Sequence, residues 1–206
     1  MSNSQKSVFS KFSLNRVIWL LTLSDIFTWG VYLIIAGFVG LYLAEKLGYN
    51  PIEVIGLGTA IFYFAKGTFQ IPIGYITDKT RKDKDDLLFL MVGNLFMGIP
   101  YLFYPLIKSA EAYFLLQFFI GLGAAMNLVN WRKIFAANLD KGREGIDYGV
   151  YDTVLSYSMI FFSIIAGFIA NLGQNYFDAV MVGVGLLMIA SGFWVLLIFG
   201  SKRRSR

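Results

Sequence analysis

Six apolar runs, each long enough to cross a lipid bilayer as a helix, constrain this chain more than any other feature. They cover about residues 17–43, 52–77, 87–107, 113–131, 150–172 and 177–199. A helix needs roughly 20 apolar residues to span the hydrocarbon core of a bilayer. The runs are continuous, whereas membrane strands alternate in polarity and must close into a barrel. The sequence therefore predicts an all-α integral membrane protein with six transmembrane helices.

Composition supports a membrane protein and argues against most enzymes. Of the 206 residues, 57% are hydrophobic and only 15% are charged, which is too apolar for a soluble domain of this length. The chain has no cysteine and no histidine, which excludes disulfides, thiolate zinc sites, cysteine nucleophiles and histidine proton shuttles. We predict no enzyme activity, no metal and no cofactor. A membrane enzyme or lipid-handling protein is an alternative that no motif in the sequence supports.

The basic residues predict the orientation of the chain. Fifteen of the 18 lysines and arginines lie in the two termini and in the loops after helices 2 and 4. Because six spans put both termini on one side, and basic loops stay in the cytoplasm, we predict cytoplasmic termini. The predicted parts are an N-terminal segment 1–16, a bundle 17–200 and a basic tail 201–206, in the cell's inner (plasma) membrane. The net charge of +5 then reflects topology and contact with lipid, and no nucleic-acid partner is predicted.

Polar side chains recur at helical spacing inside the predicted spans of helices 1, 2, 4 and 5. An ionisable group in the bilayer costs a few kcal/mol, so it faces the bundle interior or a water-filled cavity. The charges on helices 1 and 2 each share a helical face with aromatic or polar residues. The predicted substrate-binding or proton-coupling residues are Asp25, Trp29, Tyr32, Tyr63, Lys66 and Gln70. A secondary polar set on helix 4 either faces a cavity or bonds helix to helix, and consists of Gln117, Asn127, Asn130 and Arg132.

The polar content of the helices repeats in two halves. Helices 1 and 2 are polar and helix 3 is nearly apolar, and the same order recurs in helices 4, 5 and 6. An odd number of spans per half inverts the second half, so we predict two inverted three-helix repeats, residues 17–107 and 111–200. Helices 3 and 6 suit lipid-facing positions. The paired helix glycines are expected to allow close packing, namely Gly121, Gly123, Gly183 and Gly185.

Four stretches of the chain, in order, resemble the major facilitator superfamily. "GYITDKTRKDKDD", residues 74–86, resembles the "GxxxD[RK]xGR[RK]" loop of that family, and the passage from "GFVGLYLAEKLGYN" through helix 2 resembles its first two helices. "QFFIGLGAA" resembles its helix 4 pattern, and "NLDKGREGIDYGVYDTV" its loop into helix 5. The chain departs from the family at three positions. Arg81 replaces the second motif glycine, Lys82 stands where the arginine is expected, and Gln117 replaces a frequent arginine of helix 4.

The resemblance implies a secondary active transporter of a small solute that works by alternating access. The family usually has twelve helices in two similar bundles, whereas this chain resembles one half. Since a single bundle would leave its polar stripes against lipid, we predict a parallel homodimer that encloses a central cavity. Asp25 is the candidate for proton coupling. Alternatively, Asp25 and Lys66 form a buried ion pair that holds helices 1 and 2 together, or Lys66 extends toward the membrane surface.

In the superfamily, the loop after helix 2 stabilises a closed cytoplasmic gate by reaching the other half of the transporter. By this resemblance the predicted gating residues are Gly74, Asp78, Lys79, Arg81, Lys82 and Asp152. Asp78 is expected to reach the start of helix 5 in the second copy, and either Arg81 or Lys82 takes the part of the family arginine. The alternatives are a subunit of a heteromeric transporter, a non-transporting accessory subunit, and a piece of a longer transporter. The sequence leaves open the substrate, the coupling ion, symport or antiport, and import or export.

Overall fold

Six long helices account for most of the chain. The computed structural model describes residues 14–48, 51–80 and 83–199. Each helix is long and apolar enough to cross a membrane, and the described residues contain no strand, so the predicted all-α, six-span fold is confirmed. The helices are α1 (Arg16–Leu47), α2 (Ile52–Thr80), α3 (Asp83–Leu102), α4 (Ala110–Asn138), α5 (Glu144–Ala170) and α6 (Gln174–Phe199).

Several predictions fall on residues outside the described ranges. These are the N-terminal segment up to residue 13, the basic tail, and the loop residues Arg81 and Lys82. Because the chain crosses six times, the described ends near Arg16 and Phe199 lie on the same side of the membrane, which we name the terminal side. The boundaries of the two inverted repeats stay predictions.

Side-chain caps and a left-handed glycine define several helix ends. The Asn15 side chain accepts a hydrogen bond from the backbone N–H of Ile18 at 3.0 Å and donates one to the carbonyl of Asn138 at 2.6 Å. Asn15 therefore caps α1 and also ties its start to the end of α4. At the other end of α1, Gly48 has a φ of 68°, which glycine adopts without strain. Ser109 caps α4 by accepting from the N–H of Ala112 at 3.4 Å.

The helices differ in how far the bundle covers them. α4 packs against α2 and α3, α3 also packs against α6, and α5 makes only small contacts with α1 and α6. The buried share of the apolar segment is 50% in α3 and 39% in α6. The same share is 22% in α2 and 0% in α5. The expectation that α3 and α6 are the lipid-facing helices stays a prediction, because coverage within one bundle does not distinguish a face against lipid from a face against a second copy. The polar helices α2 and α5 are the least covered.

Glycines permit the close approach of α3 to its neighbours. A Cβ atom added to Gly93 would lie 2.6 Å from the backbone nitrogen of Asn127, and one added to Gly123 would lie 2.7 Å from that of Met97. At these distances the backbones of α3 and α4 would have to separate. A Cβ at Gly121 or Gly185 also meets backbone oxygen, whereas one at Gly183 meets nothing within 4 Å. Close packing is thus confirmed for Gly121, Gly123 and Gly185 and wrong for Gly183.

We predict that Gly123→Ala lowers the free energy of unfolding by about 1–3 kcal/mol, because the methyl group forces α3 and α4 apart. The matched control is Gly56→Ala on α2, where an added Cβ has no neighbour within 4 Å and alanine favours the helix. Thermal unfolding of the purified variants in one detergent measures both effects. Equal melting temperatures for the two variants would contradict the tight α3–α4 contact.

Candidate functional site

A π-helical turn interrupts α1 near its midpoint. Residues Ile26–Gly30 form this turn between two α-helical segments, Arg16–Asp25 and Val31–Leu47. Single π turns inside α-helices are rare and are frequent at functional sites. A π turn holds more residues than an α turn, so the regular spacing that placed Asp25 and Trp29 on one face does not hold here. The structure directs their two side chains to different helices.

Asp25 lies inside the bundle and bonds to α5. Its side chain is buried, with only 3% of the residue exposed, and its carboxylate accepts a hydrogen bond from the hydroxyl of Tyr151. The Tyr151 ring packs in turn on Trp131 of α4, with 4.9 Å between ring centroids. Within the described residues, no ion pair joins Asp25 to Lys66 within 4.0 Å. The alternative of an Asp25–Lys66 pair between α1 and α2 is therefore not observed.

Lys66 lies among aromatic rings of α1 and α2. Its Nζ atom is 5.4 Å from the ring centroid of Trp29, 5.5 Å from that of Tyr63 and 5.8 Å from that of Phe62. These are distances at which an ammonium group is attracted to aromatic faces. Tyr32 completes the group by stacking on Phe62 at 5.5 Å. We name these five residues, Trp29, Tyr32, Phe62, Tyr63 and Lys66, the lysine–aromatic site.

The lysine–aromatic site contains most of the residues that the sequence predicted to bind a substrate. Trp29, Tyr32, Tyr63 and Lys66 come together, and Tyr63 is 60% exposed on the surface of the single bundle. Gln70 follows Lys66 by about one helical turn and is half-buried. Asp25 is separated from the site, since its carboxylate bonds toward α5.

A chain of buried hydrogen bonds holds the Trp29 ring in place. The indole N–H of Trp29 donates to Asn127 Oδ1 at 2.8 Å, and Asn127 Nδ2 donates to Asn94 Oδ1 at 2.6 Å. Asn94 Nδ2 then donates to Ser191 Oγ at 2.7 Å, and this oxygen also accepts from the Thr28 hydroxyl at 2.8 Å. The network joins α1, α3, α4 and α6. It satisfies polar groups that would otherwise be costly in a low-dielectric interior.

The rest of the secondary polar set divides between the interior and the surface. Gln117 is buried, donates to the Tyr113 hydroxyl at 3.0 Å and accepts from the Tyr104 hydroxyl at 3.3 Å. Asn130 is also buried and donates to a backbone carbonyl of its own helix at 2.7 Å. Arg132 is exposed. Within this bundle, the amides of α4 stabilise the interior, and Arg132 alone among the set is on the surface.

A charged cluster joins the ends of three helices on the terminal side. Lys133 of α4 forms ion pairs of 2.9 Å with Asp78 at the end of α2 and with Asp86 at the start of α3. The Lys133 ammonium also donates to the carbonyl of Thr77 at 3.0 Å. The side chain of Asp78 is 73% exposed, whereas that of Asp86 is 4% exposed. Asp78 therefore has a partner in its own chain and remains accessible from outside the bundle.

Three other predicted gating residues lie outside this cluster, two on α2 and one on α5. The carbonyl of Gly74 accepts a hydrogen bond from the Thr77 hydroxyl at 3.1 Å. The ammonium group of Lys79 lies 6.0 Å from the centroid of the Tyr75 ring. Asp152 is exposed on the first turns of α5.

Two grooves on other faces of the bundle have apolar linings. One, of about 200 Å³, lies between α1, α5 and α6 and includes Phe162 and Val184. The other, of about 400 Å³, lies between α3 and α4 and includes Phe96 and Leu115. Neither contains a charged side chain or a member of the lysine–aromatic site.

Comparison with known proteins decides the family. The sequence model of the Major Facilitator Superfamily matches residues 7–206. The chain belongs to the Major Facilitator Superfamily. An uncharacterized MFS-type transporter of Methanocaldococcus jannaschii is 26% identical over 172 residues, which cover 84% of this chain and 40% of the relative. The chain thus spans less than half the length of that curated relative. No solved structure matches this chain.

Three side chains that contact predicted residues in the structure were not themselves predicted from the sequence. Phe62 was indistinguishable from the many core phenylalanines, and Lys133 was counted only as a basic loop residue. Tyr151 directly precedes Asp152, and a shift of one residue on a helix turns a side chain by about 100°. The exposed Asp152 was predicted and the inward-facing Tyr151 was not. One signal for Tyr151 remains in the sequence: a buried carboxylate such as that of Asp25 needs a hydrogen-bond donor.

We predict that Tyr151→Phe lowers the free energy of unfolding by about 1–3 kcal/mol, because it leaves the buried Asp25 carboxyl group without its hydrogen-bond donor. The matched control is Tyr157→Phe on the same helix, where the side chain is 71% exposed and a change within about 0.5 kcal/mol is expected. Thermal unfolding measures both. A second test is the Tyr151→Phe, Asp25→Asn double-mutant cycle, in which purely additive effects would contradict the bond.

Proposed function

We propose that this chain is a secondary active transporter of a small solute that works as a parallel homodimer of six-helix bundles. The two bundles enclose a central cavity in the cell's inner membrane, and the cavity opens alternately to either side. The family membership supports transport as the activity. The dimer is supported by one observation, the polar side chains on the uncovered faces of α2 and α5.

Exposed polar residues on α2 and α5 need a partner other than lipid. Lys66 and Gln70 of α2 are only half-buried, and Asp152 and Ser156 of α5 are exposed. Against acyl chains these groups would cost several kcal/mol, of which the charged groups account for most. A second bundle with water between the two removes this cost. The same uncovered helices are also the ones with the fewest contacts inside the bundle.

Symmetry determines how two copies would meet. A twofold axis along the membrane normal keeps the termini of both copies on one side and repeats the same contact twice. By family resemblance, we propose that α2 of one copy lies beside α5 of the other. Since α2 ends and α5 begins on the terminal side, Asp78 would then lie near residues 145–152 of the second copy. In this arrangement Asp78 contacts both Lys133 of its own chain and the start of α5 in the second copy, where the two bundles form the gate.

Proton coupling through Asp25 belongs to this proposal. Asp25 is a buried carboxyl group beside the π turn of α1, and its hydrogen-bond partner is on α5. A change in its protonation would alter the bond that joins α1 to the least-covered helix. Coupling would therefore act through the position of α5, at the proposed contact between bundles.

We predict that a crosslink forms between α2 of one copy and α5 of the other. Since the chain has no cysteine, two differently tagged versions, Tyr75→Cys and Tyr148→Cys, are co-expressed and crosslinked in membranes. Both side chains are exposed at the terminal-side ends of their helices. The expected product is a band of twice the monomer mass that carries both tags.

The control for this crosslink pairs Tyr75→Cys with Leu196→Cys, which is exposed near the terminal-side end of α6. The control should give little mixed-tag product, because α6 does not meet α2 in the proposed dimer. Equal yields for the two pairs, or no mixed-tag product from either, would contradict the homodimer. The second result would favour a heteromeric partner.

A further inference from the structure

We propose that the lysine–aromatic site binds a small organic anion, with the anionic group on the Lys66 ammonium and an apolar or aromatic body on the surrounding rings. This inference rests on the proposed transport function and names the class of its substrate. The sequence left the substrate open and placed Asp25 and Lys66 in one candidate set. The structure separates the two charges.

The two predicted charges differ in how the bundle satisfies them. Asp25 is buried and bonded to Tyr151. Lys66 makes no hydrogen bond and no ion pair with any residue in the described part of the chain, and three aromatic rings lie within 6 Å of its ammonium group. A membrane-embedded ammonium ion without a carboxylate requires water or an anion as its partner. The site is therefore cationic, and a zwitterion would lack a counterpart for its own cation.

Neighbouring charges reinforce the positive potential. Arg132 of α4 is a second cation and is exposed on the bundle. In a homodimer the twofold axis adds the same two cations from the second copy, while the exposed Asp152 of that copy lies toward the terminal side, beside Asp78. Low-dielectric walls strengthen such a field, which attracts anions and excludes cations from the cavity.

The rings around Lys66 leave its hydrogen-bond donors available. An ammonium group has three N–H donors, and an aromatic face attracts the charge without accepting a full hydrogen bond. A carboxylate or phosphate can therefore bind to Lys66 without breaking an existing ion pair. The faces of Trp29 and Tyr63 offer apolar contact area beside the charge, which suits a compact organic body more than a bare inorganic ion.

Part of this site is preorganised by the bundle before a ligand binds. The Trp29 indole is fixed by the hydrogen bond to Asn127, which is fixed in turn by Asn94. Phe62 is 2% exposed and stacks on Tyr32. Ordering these rings therefore costs little upon binding, which favours affinity for a small ligand. The 60% exposed Tyr63 is the member through which a ligand would enter.

The first test measures the local field without requiring the substrate. Gln70→Cys is the single thiol of the chain, about one turn from Lys66. With each rate divided by the rate of the same reagent with a free thiol, we expect an anionic methanethiosulfonate to modify it roughly tenfold faster than a cationic one of similar size in proteoliposomes. Adding Lys66→Gln should abolish the preference, Lys66→Arg should retain it, and the control Lys108→Gln, in the loop before α4, should not change it.

The second test measures binding with probes that differ in charge. Benzoate and phenyl phosphate are compared with benzamide and benzylamine by the thermal stabilisation of the wild-type protein at neutral pH. We expect both anions to raise the melting temperature more than the neutral and cationic probes. The difference should disappear in Lys66→Gln and persist in Lys66→Arg. If no anion stabilises the protein more than benzamide does, the inference is overturned.

The outcomes separate this inference from the proposed function. If both charged reagents modify Gln70→Cys at equal rates, water reaches the site but no anion preference exists, so only the anion site is wrong. If neither reagent modifies the thiol, water does not reach this face, which contradicts the central cavity and the anion site together. If anions bind through Lys66 but proteoliposomes accumulate neither anionic probe against a proton gradient, the site stands and coupled transport of these anions is contradicted.

Discussion

The hydrocarbon core of a bilayer offers no hydrogen-bond partners, so every polar side chain in these helices must be satisfied by protein or by water. The interior of the bundle meets this requirement through the network from Trp29 to Asn127, Asn94 and Ser191. Close glycine contacts between α3 and α4 bring the backbones near enough for the two asparagines to bond. The same requirement is not met on α2 and α5. The network satisfies the polar groups that it joins, although Asn130 Oδ1 is buried without a hydrogen-bond partner among the described residues. One set of faces is left uncovered, and the proposed function follows from this difference.

Lys66 shows most clearly what the single bundle lacks. Its neighbours Trp29, Phe62 and Tyr63 stabilise a cation by their ring faces, yet they supply no negative charge. A membrane protein that needed Lys66 only for its structure would gain from a nearby carboxylate, and Asp25 is instead bonded to Tyr151. In the homodimer, the uncovered faces of two bundles would surround a watery space lined by two such lysines. An anionic solute would then supply the charge that the protein does not.

The sequence predicted the fold well because each span needs only length and apolar composition, which are local properties. It also predicted four of the five members of the lysine–aromatic site, since Trp29, Tyr32, Tyr63 and Lys66 stand out among apolar neighbours. It failed where the outcome depends on tertiary geometry. The π turn at Ile26–Gly30 changes the helical register, and no residue pattern announced it. Which helices are covered within the bundle depends on how closely the backbones approach, and polar content alone does not predict this.

Distances between the two bundles test the central claim most directly, because a homodimer with one spin label per chain yields intersubunit distances alone. We predict that pulsed dipolar spectroscopy in nanodiscs, with Tyr75→Cys labelled on the terminal side and Ile52→Cys on the opposite side in separate samples, resolves two distances for each. Conditions that favour one arrangement should favour the longer distance on one side of the membrane and the shorter distance on the other side. Asp78→Asn should favour the arrangement that is open to the terminal side. No dipolar coupling, or a single fixed distance on both sides, would contradict a homodimer that works by alternating access.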